Sequence, residues 1–186
     1  MSAERSLPEN ARLIPAEAEL KFSGEIFDVY QWQQELFDGT FTTFEMLRRP
    51  DTVLVLAVTD DRAVITCDEE QPGGIVRKGH VPTGRVDPED VSVLAAAQRE
   101  LLEETGYRFA HWKLLDVVQP EPKIEWFVHT FVATGELGRV AVQLDAGERL
   151  TVGTSNLEDV RGRIKNAPRL ATIGSVEALI EWNRAR

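Results

Sequence analysis

The sequence predicts an α/β sandwich built around a mixed sheet, and three observations carry that expectation. Strand-like apolar runs occur both before and after one central helical stretch, as in folds where helices cover a sheet. Val53-Leu-Val-Leu-Ala-Val58 is continuous and apolar, the pattern of a strand covered on both faces. Two helical stretches close the chain, where they can cover a sheet face. With 186 residues, 42% of them hydrophobic, the chain can bury a sizeable core as one globular domain.

Taken in order, residues 1–19 are polar and carry Pro8 and Pro15, which predicts a partly mobile lead-in. Apolar and polar residues partly alternate from Phe22 to Trp32 and again from Thr40 to Leu47, with Asp38-Gly39 between as a turn signal. These runs predict a β-hairpin or meander. Asp60-Asp61 turns the Val53–Val58 strand into a partner at Ala63–Cys67, and Pro72-Gly73-Gly74 opens a loop that ends near Gly84. Asp87-Pro88-Glu89-Asp90 carries helix-start chemistry, with Ser92 as a second possible cap, and Gly106 ends that helix. Strands are expected at Trp112–Val118, Ile124–Thr134, Val140–Leu144 and near Leu150–Val152. The closing helices are expected at about Leu157–Asn166 and Ser175–Arg184.

Composition excludes several classes. Thirteen Gly and nine Pro are ordinary usage, so a collagenous or low-complexity chain is ruled out. The longest apolar run is far below a membrane span, and the N-terminus lacks the apolar core of a secretory signal. One cysteine, Cys67, forms no internal disulfide and suits a reducing cytoplasm. Twenty-one Lys and Arg against 31 Asp and Glu give a formal charge of −10, which repels nucleic acid. A small anionic substrate stays compatible with that charge, because bound divalent cations reverse the local sign. His80, His111 and His129 are scattered, without zinc spacing, and carry no assigned role. Gly73-Gly74 is not a P-loop, since no G-K-[ST] follows.

The informative segment is Arg99-Glu-Leu-Leu-Glu-Glu-Thr-Gly-Tyr107. At helical spacing Glu100, Glu103 and Glu104 fall within an arc of roughly a quarter turn. Such neighbours repel by about 0.2–0.5 kcal/mol per exposed pair. A hard cation turns that repulsion into coordination, since Mg²⁺ takes oxygen ligands. A solvated acidic face would explain a bare Glu-Glu pair, but this arrangement is longer and more ordered.

Arg99–Tyr107 resembles, position for position, the closing part of the Nudix box, R-E-U-x-E-E-x-G-U with U bulky and apolar. Val81-Pro-Thr-Gly84 with Arg85-Val86 resembles the turn that holds the box's leading glycine, and Ala95-Ala96-Ala97 resembles its small-residue run. The match covers about residues 81–107, and the strand order from Val53 onward is also Nudix-like. The resemblance implies a Nudix-like α/β/α sandwich with extra N-terminal antiparallel strands. It divides the chain into residues 1–47, lead-in and strands, and a Nudix domain over 48–186. Two departures stand out. The family's upstream glutamate, eight positions before the arginine, is Val91 here, and Gly84 to Arg99 is one residue longer than the family spacing. The loop is therefore expected to be rebuilt, with Glu89 or Asp90 pairing Arg99.

Carried over residue by residue, the resemblance makes Glu100 and Glu104 the principal metal ligands. Glu103 is an additional ligand or orients water, and the carbonyl of Thr83 matches a backbone ligand. The implied cofactor is Mg²⁺, with Mn²⁺ as an alternative, and the implied reaction is hydrolysis of a nucleoside diphosphate linked to another group. In the branch acting on ADP-ribose and sugar nucleotides, a late loop supplies a further glutamate. Asp145-Ala-Gly-Glu148 resembles it, with Glu148 as base or metal ligand and Asp145 a weaker substitute. The strands around Phe27–Trp32 and Thr40–Glu45 resemble those with which that branch builds a homodimer.

Tyr30 or Trp32 could stack on a purine or simply pack in a core or interface. Arg48, Arg49 and Arg85 are candidates for the diphosphate, because guanidinium matches phosphate bidentately. Glu69-Glu70-Gln71 could hydrogen-bond a base edge or form a turn. The expected function is Mg²⁺-dependent cleavage of ADP-ribose or an NDP-sugar into a nucleoside monophosphate and a sugar phosphate. The alternatives are a house-cleaning nucleoside triphosphate pyrophosphatase and a non-catalytic nucleotide sensor that keeps the fold.

Overall fold

A computed structural model describes residues 7–142 and 149–166. The expected mobile lead-in is held down where it is described. Ile14 is buried, its N–H donates to Glu125 at 2.7 Å, and the Arg12 N–H donates to Gln119 at 2.7 Å. Strands β1 (Glu19–Ser23), β2 (Asp28–Glu35) and β3 (Phe41–Arg48) form an antiparallel meander. The single run expected over Phe22–Trp32 is broken in two because Gly24 N–H donates to the Phe27 carbonyl, closing a turn between β1 and β2.

Strand β4 (Thr52–Ala57) is buried at every residue, as its unbroken apolar sequence requires. Strands β5 (Val64–Gln71), β6 (Ile75–His80) and β7 (Thr83–Arg85) follow. The loop expected from Pro72 to Gly84 is therefore mostly strand. Four of the six β6 residues are exposed, so pairing with β5 holds it in place and no apolar alternation marks it in the sequence. Helix α1 (Val93–Thr105) starts at Ser92, whose hydroxyl accepts from Ala95 N–H at 3.0 Å. The alternative start at Asp87 is instead a turn, with Asp90 N–H donating to the Asp87 carbonyl. Gly106, at φ 73°, ends the helix in the left-handed conformation a Cβ disfavours.

The chain continues through β8 (Tyr107–Val118), β9 (Ile124–Glu125), β10 (Val128–Arg139), β11 (Arg149–Ser155) and α2 (Leu157–Asn166). Of the strand expected at Val140–Leu144, residues 140–142 are not strand, and the remainder lies outside the described residues, as does the helix expected at Ser175–Arg184. A mixed sheet runs β7-β4-β10-β8, in which β4 and β10 are parallel. A second sheet runs β11-β5-β6, and β9 joins the N-terminal meander beside β3.

Alternation along β4 divides the core. Val53, Val55 and Ala57 pack with Ala96, Ala97 and Leu101 of α1. Leu54, Leu56 and Val58 pack with Val160 and Leu157 of α2. A fully buried leucine such as Leu101 contributes roughly 1.5–3 kcal/mol, so each helix is fixed by its apolar side. The other side of α1 is left free for its glutamates. No helix among the described residues is long and apolar enough to cross a membrane.

Candidate active site

Leu101 turned into the core aims Glu100 and Glu104 at the β7 segment. Glu100 Oε1 accepts from Arg85 N–H at 3.1 Å, and Glu104 Oε2 accepts from Thr83 N–H at 3.2 Å. Between these two amides lies Gly84, where a Cβ would stand 1.8 Å from the Glu100 carboxyl carbon. Only glycine lets the helix carboxylates approach this closely. Glu104 is 9% exposed, and burial pushes the Glu100 carboxyl above the usual range while Arg99 pulls it down. Glu103 points further out and accepts from Arg99 Nη1 at 3.0 Å.

Arg99 is the hub of this face. Its guanidinium meets Asp90 through Nε at 3.1 Å and Nη2 at 2.8 Å, Glu100 and Glu103 through Nη1, and the Arg85 carbonyl at 2.9 Å. Asp90, not Glu89, thus takes the place that Val91 cannot fill, and Val91 is 85% exposed. Asp90 also accepts from Asp87 N–H at 2.9 Å, closing the longer loop. Asp87, Asp90, Glu100 and Glu103 are gathered around the Arg99 guanidinium, and Asp87 also meets Arg85. The excess of negative charge is what a divalent cation would relieve.

Arg49 lies over the Trp126 ring at 4.7 Å and the Phe27 ring at 5.6 Å. Its buried Nε has no hydrogen-bond partner among the described residues. Burial, then the neighbouring Arg85, hold its pKa below the ordinary value, against the pull of Asp51. Arg49 therefore keeps one buried donor unused, within electrostatic reach of the Arg85 charge. Arg48 is committed elsewhere, to Glu125 and to the Tyr30 hydroxyl, which accepts at 3.0 Å. Trp32 packs edge-on against Phe44 and donates to Gln34. Glu148 and Asp145 lie outside the described residues.

The NUDIX domain model matches residues 48–171, two thirds of the sequence. The chain belongs to the NUDIX family. It is 31% identical over 151 residues to an ADP-ribose pyrophosphatase of Bacillus subtilis (strain 168), covering 74% of this chain and 75% of that one. A methanol dehydrogenase activator of Bacillus methanolicus is 28% identical over 116 residues, 61% of this chain and 62% of the relative. The crystal structure of an ADP compounds hydrolase superposes with a TM-score of 0.69 at 20% identity, over 91% of this chain and 93% of that chain, which establishes the shared fold.

The chain is thus a Nudix hydrolase, and its box can be tested against the divalent cation that family employs. Among the described residues no three His, Cys, Asp or Glu side chains converge tightly enough to hold a metal as they stand. Arg99 and the amides of residues 83 and 85 engage an oxygen of each of Glu100, Glu103 and Glu104. The donor set still fits a hard cation in its chemistry, because Glu100 and Glu104 both present carboxylate oxygens to the Thr83–Arg85 segment, with Glu100 packed against Gly84.

Thr83, Arg85, Arg99, Glu100, Glu103 and Glu104 of the Nudix box are brought together, whereas Tyr30 and Trp32 are held within the N-terminal meander. Trp126 beside Arg49 escaped the sequence reading, since it sits in a strand-like run where an aromatic signals only packing. The pair His129 and Asp51, both buried, 3.2 Å apart, escaped it too, because no sequence spacing links them. Glu69, expected in a turn or at a base edge, is a buried strand residue. Cys67 is fully buried beside it, and burial, then Glu104 and Glu69, push its thiol up, so it is unreactive.

Proposed function

We propose that this Nudix hydrolase cleaves ADP-ribose or a related NDP-sugar into a nucleoside monophosphate and a sugar phosphate, with Mg²⁺, or Mn²⁺ in its place, as cofactor. The observation that carries this reading is the opposition of Glu100 and Glu104 to the Thr83–Arg85 segment. The similarity to the Bacillus subtilis ADP-ribose pyrophosphatase supports the substrate class.

Glu100, Glu104 and the Thr83 carbonyl hold the cation, with Glu103 as a further ligand. When bound, the cation supplies charge neutralisation of the diphosphate and a more acidic water. Arg99 fixes the carboxylates of Glu100 and Glu103, so little reorganisation is needed during reaction. Arg49 and Arg85 hold the diphosphate, and Trp126 and Phe27 keep the Arg49 guanidinium in place. Glu148 or Glu103 accepts the proton of the attacking water. Tyr30 and Trp32, engaged with Arg48 and with Phe44 and Gln34, act as packing residues of the N-terminal strands.

The reading extends to the assembly. Residues 1–47 form the lead-in and dimerisation strands, and residues 48–186 the hydrolase domain, of a homodimer working in a reducing cytoplasm. A panel of ADP-ribose, NDP-sugars and nucleoside triphosphates, with Mg²⁺ and with Mn²⁺ and products separated by chromatography, tests it. ADP-ribose or an NDP-sugar is expected to be cleaved between its phosphorus atoms. Much faster cleavage of the triphosphates would overturn the substrate assignment.

A further inference from the structure

Strand β6 carries a bulge that gives it one more residue than its partner. Cys67 pairs with His80 and Glu69 with Arg77, so two steps along β5 face three along β6. Gly79 absorbs the irregularity at φ 57°, and its N–H donates to Asp68 at 2.8 Å. The extra residue reverses the alternation, which puts both Arg77 and His80 on the side of Glu69. That is the α1 side, because Ile65, in step with Cys67 and Glu69, packs against Ala96, Ala97 and Leu101. Glu69 is 5% exposed and is held by Gln71 and by Arg77, at 3.2 Å. Its Oε2 lies 3.4 Å from His80 Nε2, across the ring from the Val81 contact.

His80 Nδ1 is 2.9 Å from the Val81 carbonyl, and only its N–H form can bond there. The same carbonyl accepts from Thr83 Oγ1 at 2.8 Å, and Thr83 N–H in turn donates to Glu104. Pro82 lies between and has no N–H of its own, while its carbonyl accepts from Val55 N–H at 2.9 Å. A run of contacts therefore leads from His80 Nδ1–H, through the shared Val81 carbonyl and Thr83, to the carboxylate of Glu104.

We infer that His80 is a positioning residue of the active site, setting the Val81–Thr83 turn and through it Glu104 and the Thr83 carbonyl. The inference rests on the functional reading above, in which Thr83 and Glu104 hold the cation. His80→Leu removes the bond to Val81, and His80→Asn keeps an amide donor near the Nδ1 position. Calorimetry with Mn²⁺ alone, and kcat and KM on ADP-ribose, are measured for the wild type, both variants and Thr83→Val.

His80→Leu and Thr83→Val are expected to weaken Mn²⁺ binding and lower kcat by about tenfold or more, with KM little changed. His80→Asn is expected to recover most of both. Unchanged Mn²⁺ affinity and kcat in His80→Leu would overturn the inference. So would equal impairment of His80→Asn, or a loss confined to melting temperature. If His80→Leu does not fold, wild-type behaviour of Thr83→Val overturns it. A wild type that binds no Mn²⁺ would remove the functional reading itself, and the inference with it.

Discussion

Asp90 ties the loop before α1 to the helix that follows, and its charge is held in the folded state by Arg99. The hydrogen bonds from Arg99, with one from Asp87 N–H, keep the Asp90 carboxyl below the usual range. A depressed folded pKa adds stability above the ordinary aspartate value of about 3.9, and that stability is lost as pH falls through the lowered value. Asp90→Asn is therefore expected to lower the melting temperature at pH 7, with the gap to wild type closing as both are taken below about pH 4. Its kcat should also fall by about tenfold or more, because Arg99 then loses the partner that aims it at Glu100 and Glu103. A gap that stayed constant down to pH 3 would count against the pairing. At this scale the sequence was readable where residues sit on one helix: Arg99, Glu100, Glu103 and Glu104 follow from spacing. It was silent where contact comes from distant chain, as with Trp126 over Arg49 or His80 against Glu69, because no periodicity encodes such pairs.

Helix α1 is the element on which the site depends, and its sequence marks both ends. Ser92 caps the first turn and Gly106 the last, while Ala96, Ala97 and Leu101 bind it to the sheet. Ser92→Ala should cost about 1 kcal/mol of stability, read from urea unfolding, with kcat nearly unchanged. A loss near zero would mean that the helix starts elsewhere, for example at the Asp87 turn. The strands divide by how they are stabilised. Strand β4 is buried on both faces and was legible as an apolar run. Strands β6 and β7 owe their form to hydrogen bonds with β5 and β4, and their exposed or mixed side chains leave no pattern to read.

Across the whole molecule, the N-terminal meander carries large apolar side chains that the described residues leave exposed. Phe22 is 62% exposed, Phe41 64%, and Leu20 and Ile26 each 52%. Exposed apolar side chains on both faces of the meander are costly in water and match the aromatic-rich core of protein interfaces. Light scattering at micromolar concentration is expected to give twice 20.9 kDa, the mass of one chain. A monomer with full activity would show that these strands serve only their own chain. The sandwich was legible in outline because burial on two sides of β4 leaves a continuous apolar run. How the three sheets share strands was not, since β9 joins β3 and β10 joins β4 through pairings between distant segments.

The central claim is that the carboxylates of α1 hold the cation that makes this chain a diphosphatase, and Glu104→Gln tests it most directly. The substitution keeps the size of the side chain and its bond to Thr83 N–H through the amide oxygen, while removing the charge. With saturating Mg²⁺ and ADP-ribose, and circular dichroism confirming the fold, kcat is predicted to fall at least ~10²-fold, the scale on which losing a charge-stabilising group acts. Turnover near that of the wild type would contradict the account.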